Sequence, residues 1–198
     1  MECSAIILAG GKSSRMGIDK ALIPFKDRTL IESIADPLTA IFDEVLVVTN
    51  DPLRYQFLKF DKLSLVKDIF PRKGPLGGIH AGLTYMNNEY GFVTACDMPF
   101  IEGEIVKKML RLVVGYDGLV PKKDEYFQPL FAVYSKRCIE AIEKSLNNNN
   151  NRITAFYQDV DLRYLNWDEL LKGCGSGSLF FNLNTPEDLE ILKEMQKD

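Results

Sequence analysis

The chain has 198 residues, 46% of them hydrophobic and 26% charged, with a net charge of −4 and a single histidine. That is enough chain for one domain with a proper core, and its acidic balance argues against a surface that coats nucleic acid. No apolar run approaches the roughly 18 residues of a membrane span, and Cys3, Cys96, Cys138 and Cys174 form neither a CxxC pair nor, with one histidine, a zinc set. The cysteines read as buried small hydrophobes. The opening Met1-Glu2-Cys3-Ser4 lacks the basic start of a secretory signal, so the expectation is a cytoplasmic protein with no membrane or nucleic-acid partner.

Taken in chain order, Cys3–Leu8 reads as a buried strand. Leu30, Ile31, Ile34, Leu38, Ile41 and Phe42 share one face of a helix, which Pro37 must kink or restart with Asp36 as the new cap. Strands follow at Glu44–Thr49, rich in β-branched residues, and at Lys62–Lys67. Pro75 to Asn87 reads as a helix with proline in its first turn, and Tyr90–Cys96 as a fourth strand. A helix over Glu102–Val114, strands at Gly118–Pro121 and Gln128–Tyr134, and a helix over Lys136–Leu146 complete the pattern. Asn147–Asn151 and Gly173–Ser178 read as loops. Thr185-Pro186-Glu187-Asp188 opens the last helix with an N-cap threonine, a first-position proline and an acidic first turn, and Leu189, Leu192 and Met195 form its apolar stripe.

Strands alternating with helices predict an α/β fold: three layers, a mostly parallel twisted sheet with helices on both faces, and right-handed crossovers. With no internal repeat or break in composition, residues 1–198 read as a single domain. Ligands of such sheets lie past the carboxyl ends of the strands, which singles out the loop after Leu8, then Asn50, Asp68 and Asp97.

The loop after Leu8 is Ala9-Gly10-Gly11-Lys12-Ser13-Ser14-Arg15-Met16-Gly17. It is not the phosphate loop of hydrolytic NTPases, because the glycine needed five residues before Gly11 is Ile6. It is not a dinucleotide fingerprint either, since the GxGxxG spacing is missing. Gly10 and Gly11 can turn backbone N–H groups toward an anion, with Lys12, Arg15 and Lys20 supplying positive charge. The plain alternative is a solvated basic turn. Asp97, at the end of a buried strand and followed by Met98-Pro99, suits Mg²⁺, which takes one or two carboxylates plus substrate phosphates; a cap or turn aspartate is the alternative. The run Gly74-Pro75-Leu76-Gly77-Gly78-Ile79-His80-Ala81-Gly82 carries glycines that cost about 1 kcal/mol each inside a helix, so something must pack or bind closely there. His80, among small residues, reads as packed rather than catalytic.

Four stretches in order resemble a known family: Leu8-Ala9-Gly10-Gly11-Lys12-Ser13-Ser14-Arg15-Met16-Gly17 with Asp19-Lys20, Gly74-Pro75-Leu76-Gly77-Gly78-Ile79, Cys96-Asp97-Met98-Pro99-Phe100, and Asn182-Leu183-Asn184-Thr185-Pro186-Glu187-Asp188-Leu189. Together they resemble the molybdenum cofactor guanylyltransferases, the MobA family, over residues 6–192. The resemblance implies a Rossmann-like nucleotidyltransferase fold that transfers GMP from GTP to molybdopterin-bound molybdenum cofactor, giving the guanine dinucleotide form and pyrophosphate. By matching position, Leu8, Ala9, Gly10 and Gly11 would lie against the nucleotide, with Lys20 on its phosphates. Asn50 and Asp68 would hold guanine and ribose, and Asp97 would bind Mg²⁺. Arg15, Lys20 and Asp97 would carry the catalysis. Asn182, Asn184 and, at a strand start facing the proposed cleft, Gln128 are the candidates for contacting the acceptor; Lys73, Lys122, Lys123 and Arg152 are candidates for gripping its pterin, unless they are simply a solvated charged face. Transient contacts with cofactor-delivery proteins or molybdoenzymes are the expected protein partners.

Gly77 departs from the family's usual alanine, which implies a slightly looser helix start. The rivals are a CTP-dependent cytidylyltransferase of the same cofactor, which would carry LAAG rather than LAGG, and a sugar-1-phosphate nucleotidyltransferase, which would be longer. From another class comes a non-catalytic nucleotide-binding regulatory protein, disfavoured by the presence of Arg15, Lys20 and Asp97 together.

Overall fold

The computed structural model describes residues 2–9, 19–172, 181–183 and 185–194. Its strands are β1 (Cys3–Leu8), β2 (Pro24–Phe25), β3 (Arg28–Thr29), β4 (Val45–Thr49), β5 (Leu63–Lys67), β6 (Tyr90–Ala95), β7 (Gly118–Lys123), β8 (Tyr126–Phe127), β9 (Phe131–Ser135) and β10 (Leu162–Asn166). Its helices are α1 (Leu30–Ile41), α2 (Pro75–Tyr85), α3 (Gly103–Leu112), α4 (Ile139–Asn147), α5 (Trp167–Leu171) and α6 (Pro186–Glu194).

The main sheet runs β10-β7-β9-β6-β1-β4-β5, with β8 paired to β7. Strand β9 is antiparallel to both its neighbours, and the other neighbours along that order are parallel. The mixed sheet is therefore mostly parallel, as expected. Each face carries its own core. Ala5 and Ile7 point into a cluster with Leu30, Ile34 and Leu38 of α1, Ile105 and Met109 of α3, and Leu192 of α6. Ile6 and Leu8, one residue out of phase, point into a second cluster with Ile79 and Leu83 of α2 and Ile142 and Leu146 of α4. That alternation along a strand buried on both sides is what three layers require.

Several expected boundaries move. Helix α1 does not restart at Asp36; it runs unbroken through Pro37 from a capping box in which Thr29 and Glu32 satisfy each other. Proline costs that helix a bond, yet Leu30, Ile31, Ile34, Ala35 and Leu38 are fully buried and hold its register. The strand expected from Gln128 begins at Phe131, because the Gln128 N–H bonds Pro121 O at 2.8 Å and its carbonyl accepts from Phe131 N at 3.1 Å, closing a turn. A 3-10 turn over Lys136–Cys138 precedes α4. Strand β10, the β2–β3 ribbon and the short α5 have no counterpart in the sequence reading. Cys3 and Cys138 are buried, Cys96 is half-buried, and Cys174 and the Gly173–Ser178 loop lie outside the described residues.

The glycines of α2 are explained by packing. A Cβ on Gly82 would stand 2.5 Å from Cγ2 of Ile6, and one on Gly78 would stand 3.1 Å from Cδ2 of Leu8. The helix lies directly on β1. A Cβ on Gly77 would meet the Phe70 carbonyl oxygen at 2.8 Å, so glycine there lets the 68–74 loop close on the helix start rather than merely loosening it. Gly82→Ala should destabilise the fold by about 1–3 kcal/mol, the usual cost of overpacking, and denaturant unfolding would measure it.

Candidate active site

Strand β1 is paired along its length with β4 and β6, so the three chains leave the sheet side by side. The Ala9 N–H bonds Val48 O at 2.9 Å, and Cys96 N–H bonds Leu8 O at 3.2 Å. Asp68 N–H bonds Thr49 O at 3.1 Å, carrying the β5 exit into the same row. Ala9, Asn50, Asp68 and Asp97 thus stand along one edge. Leu8 is 8% exposed and packs beneath Gly78, while Asn50 is exposed. Gly10, Gly11 and Arg15 lie outside the described residues, as does Asn184.

Lys20 and Asp97 are brought together. Lys20 Nζ lies 3.8 Å from Asp97 Oδ2, with both side chains largely covered, 17% and 27% exposed. Burial pushes the Asp97 carboxyl above the usual carboxylate range, and Lys20 pulls it back in part. Lys20 is held by the residue before it. Asp19 caps the 3-10 turn Lys20–Leu22 by accepting from Ala21 N at 3.2 Å. Its other oxygen accepts from Tyr55 OH at 3.0 Å and pairs with Arg54 Nη1 at 3.0 Å. Tyr55 is 2% exposed and its phenol is raised by burial and by Asp19. The hub joins the chain after β1 to the chain after β4. Sequence reading quoted Asp19 beside Lys20 but gave it no role, and the contact between residues 19 and 55 leaves no local signal.

The segment from residue 181 to 183 completes the edge: Leu183 N–H bonds Asp97 O at 2.9 Å, which brings Asn182 beside the carboxylate's own backbone. Leu183 itself is fully buried and anchors the segment. Asp68 is raised by burial, offset by the Phe70 N–H that Oδ1 accepts at 2.9 Å. Gln128 is half-exposed; Thr94 pairs with Phe131 across β6 and β9, so Gln128 and Asp97 leave neighbouring strands at the same end of the sheet. Lys73 is engaged elsewhere, donating to Asn149 Oδ1 at 2.7 Å. Asn149 takes a φ of 58°, so the asparagine run is the turn after α4 that its composition suggests. His80 is 2% exposed, with Nε2 2.9 Å from Glu143 Oε1 and its ring edge-on to Phe70 at 4.9 Å; it is packed, as expected. Burial raises the Cys96 thiol to about 12, so it is no nucleophile at neutral pH.

Among the described residues, the site offers a part-buried cation and carboxylate, which can bind and neutralise phosphates. The comparisons point the same way. Residues 5–162 match the MobA-like NTP transferase domain. The chain is 40% identical over 201 residues to the "Probable molybdenum cofactor guanylyltransferase" of Pelotomaculum thermopropionicum, covering 100% of this chain and 95% of that protein. It is 38% identical over 189 residues to the molybdenum cofactor guanylyltransferase of Desulfosudis oleivorans, covering 94% and 92%. The crystal structure of molybdopterin-guanine dinucleotide biosynthesis protein A from Archaeoglobus fulgidus superposes with a TM-score of 0.85 at 25% identity, covering 98% of both chains.

The raised pKa of Asp97 has a consequence for stability. Its ionised form is disfavoured in the fold relative to the unfolded chain, so it costs stability above the folded pKa and nothing below the unfolded one. Asp97→Asn should therefore melt at or above the wild-type temperature at pH 7. The gap should close as pH falls through the acid range. Thermal melts of both proteins across that range check the sign.

Proposed function

The chain belongs to the MobA-like NTP transferase family, and from that membership we propose that it transfers GMP from GTP to the terminal phosphate of molybdopterin-bound molybdenum cofactor, releasing pyrophosphate and the guanine dinucleotide form of the cofactor. Residues 1–198 act in this as one nucleotidyltransferase domain working in the cytoplasm, with transient contacts to the proteins that deliver the cofactor or receive it. Among the described residues no helix is long and apolar enough to cross a membrane.

The observation that carries the reading is the Lys20–Asp97 pair, a cation and a carboxylate at the exit of adjacent strands, part-shielded from water. The acceptor's terminal phosphate is already an anion, so its attack on the α-phosphorus of GTP needs no base. What it needs is position and charge neutralisation. Lys20 meets the phosphates of GTP, and Asp19, Tyr55 and Arg54 keep that lysine aimed. Arg15 would add a second cation from the loop after β1. Leu8 and Ala9, with Gly10 and Gly11 after them in the motif, bind the nucleotide. Asn50 and Asp68 hold guanine and ribose, and Asn182, Asn184 and Gln128 face the acceptor.

A divalent metal fits the donor set. Asp97 is part-exposed, and its 3.8 Å contact with Lys20 is too long for a hydrogen bond, leaving an oxygen to accept an ion. One carboxylate together with substrate phosphates is enough to hold Mg²⁺. Bound there by Asp97, it would neutralise charge on the reacting phosphates.

GTP at about 100 times its Kd should stabilise the protein by roughly 2.7 kcal/mol, a rise in Tm of about 5–11 °C. CTP should not. A shift with CTP and none with GTP contradicts the guanine assignment. Lys20→Ala should keep its fold and lose about 10²–10³ in kcat; near-normal turnover in that variant removes Lys20 from the mechanism.

A further inference from the structure

A second concavity opens on the same end of the sheet. It is an open cleft of about 500 Å³ lined by Phe127, Asn150, Arg152, Tyr157, Gln158 and Tyr164, with Thr154 and Ala155 at its wall. That volume lies within the range of small-molecule sites. In a chain of net charge −4, this lining holds one arginine and no carboxylate. Lys122 adds a second cation, its Nζ 6.0 Å from the centre of the Tyr164 ring.

The aromatic side is built, not incidental. Phe127 lies 5.2 Å from Tyr164 and 5.7 Å from Tyr157, centre to centre. Tyr157 is fixed from behind, its hydroxyl 2.8 Å from that of Tyr134. Tyr134 in turn donates its hydroxyl hydrogen to Pro129 O at 3.0 Å. Tyr164 keeps 41% of its surface exposed. A rigid aromatic base thus carries one open ring, an arrangement suited to stacking a flat heterocycle.

The topology sets its place relative to Asp97. Helix α4 starts at the amino end of β6, where Lys136 N–H bonds Glu89 O at 3.0 Å. It ends at the opposite edge, where Lys73 of the Asp68 loop reaches Asn149 at 2.7 Å. Asn150 and Arg152 follow at once, so they lie at the edge where Asp97 sits. Phe127 directly precedes Gln128, whose N–H bonds Pro121 O of β7 at 2.8 Å in the turn that enters β9 at the end of the sheet where Asp97 follows β6. With strands about 4.8 Å apart, β7 stands roughly 10 Å and β10 roughly 14 Å along the edge from β6.

Resting on the guanylyl-transfer reading, we propose that this cleft receives the pterin of the acceptor, stacked on Tyr164 and Phe127, so that its phosphate reaches along the edge to Lys20 and Asp97. The amide edge of a pterin carries both donors and acceptors, which the side-chain amides of Asn150 and Gln158 match. Arg152 and Lys122 meet the anionic end of the ring system. Lys73, tied to Asn149, holds the wall of the cleft rather than the ligand.

Pterin-6-carboxylate is the probe, its fluorescence followed as wild-type protein is titrated in with saturating GTP present. Saturable quenching is expected. Tyr164→Ala and Arg152→Ala should each weaken it about tenfold or more, consistent with stacking worth about 1–3 kcal/mol, while Tyr164→Phe retains it. All three variants should keep the wild-type Tm and the wild-type affinity for GTP. Undiminished binding in Tyr164→Ala and Arg152→Ala overturns the proposal, as does the absence of any quenching by a protein that GTP stabilises in a thermal melt. A wild-type protein that GTP does not stabilise in a thermal melt fails the guanylyl-transfer reading instead, a separate result from a separate measurement.

Discussion

The site depends on one constraint: β1, the strand that leads into the nucleotide loop, is hydrogen-bonded on both sides and buried on both faces. Ala5, Ile6 and Ile7 are fully covered, which leaves β1 no freedom to slip, because a shift of one residue would exchange its two cores. The register that results aligns Leu8 with Val48 and Ala95. The loops that follow therefore emerge together, and a nucleotide placed beyond β1 meets residues from four exits at once. The glycines of α2 serve the same end, since Gly78 and Gly82 let that helix lie on Leu8 and Ile6.

Charge is arranged on this frame with economy. Burial works against the Asp97 carboxylate and Lys20 works for it, and burial is the larger. Such a carboxylate gains when a cation arrives, which is how a binding site stores part of its affinity at some cost in stability. Lys20 in turn is aimed by Asp19, whose two oxygens face three partners. A neutralising site built in this way needs rigidity more than reactivity. That agrees with a half-buried thiol raised to about 12 and a lone histidine locked against Glu143 and Phe70.

Much of this was legible in the sequence. Runs of β-branched and apolar residues marked β1, β4, β6 and β7, because buried parallel strands are continuous in hydrophobicity. Lys20 and Asp97, singled out by the motifs, lie 3.8 Å apart. What the sequence could not show was contact between distant positions. Tyr55 reaches Asp19, and Tyr164 reaches Phe127, across separations that carry no periodic signal. Strand β10 was missed because Leu162-Arg163-Tyr164-Leu165-Asn166 at the sheet edge alternates too weakly to stand out. Of the two outcomes Pro37 implies, a kink or a restart, the restart does not occur: its local cost is real, but five buried neighbours in α1 outweigh it.

The most direct measurement follows the phosphorus atoms of GTP. Wild-type protein with Mg²⁺ and molybdopterin-bound molybdenum cofactor would be given GTP labelled at either the α- or the γ-phosphate. Guanylyl transfer predicts α-label in the dinucleotide product and γ-label in pyrophosphate, with no comparable product from CTP. Label passing from the γ-phosphate to the acceptor, or release as inorganic phosphate without transfer, would contradict the account.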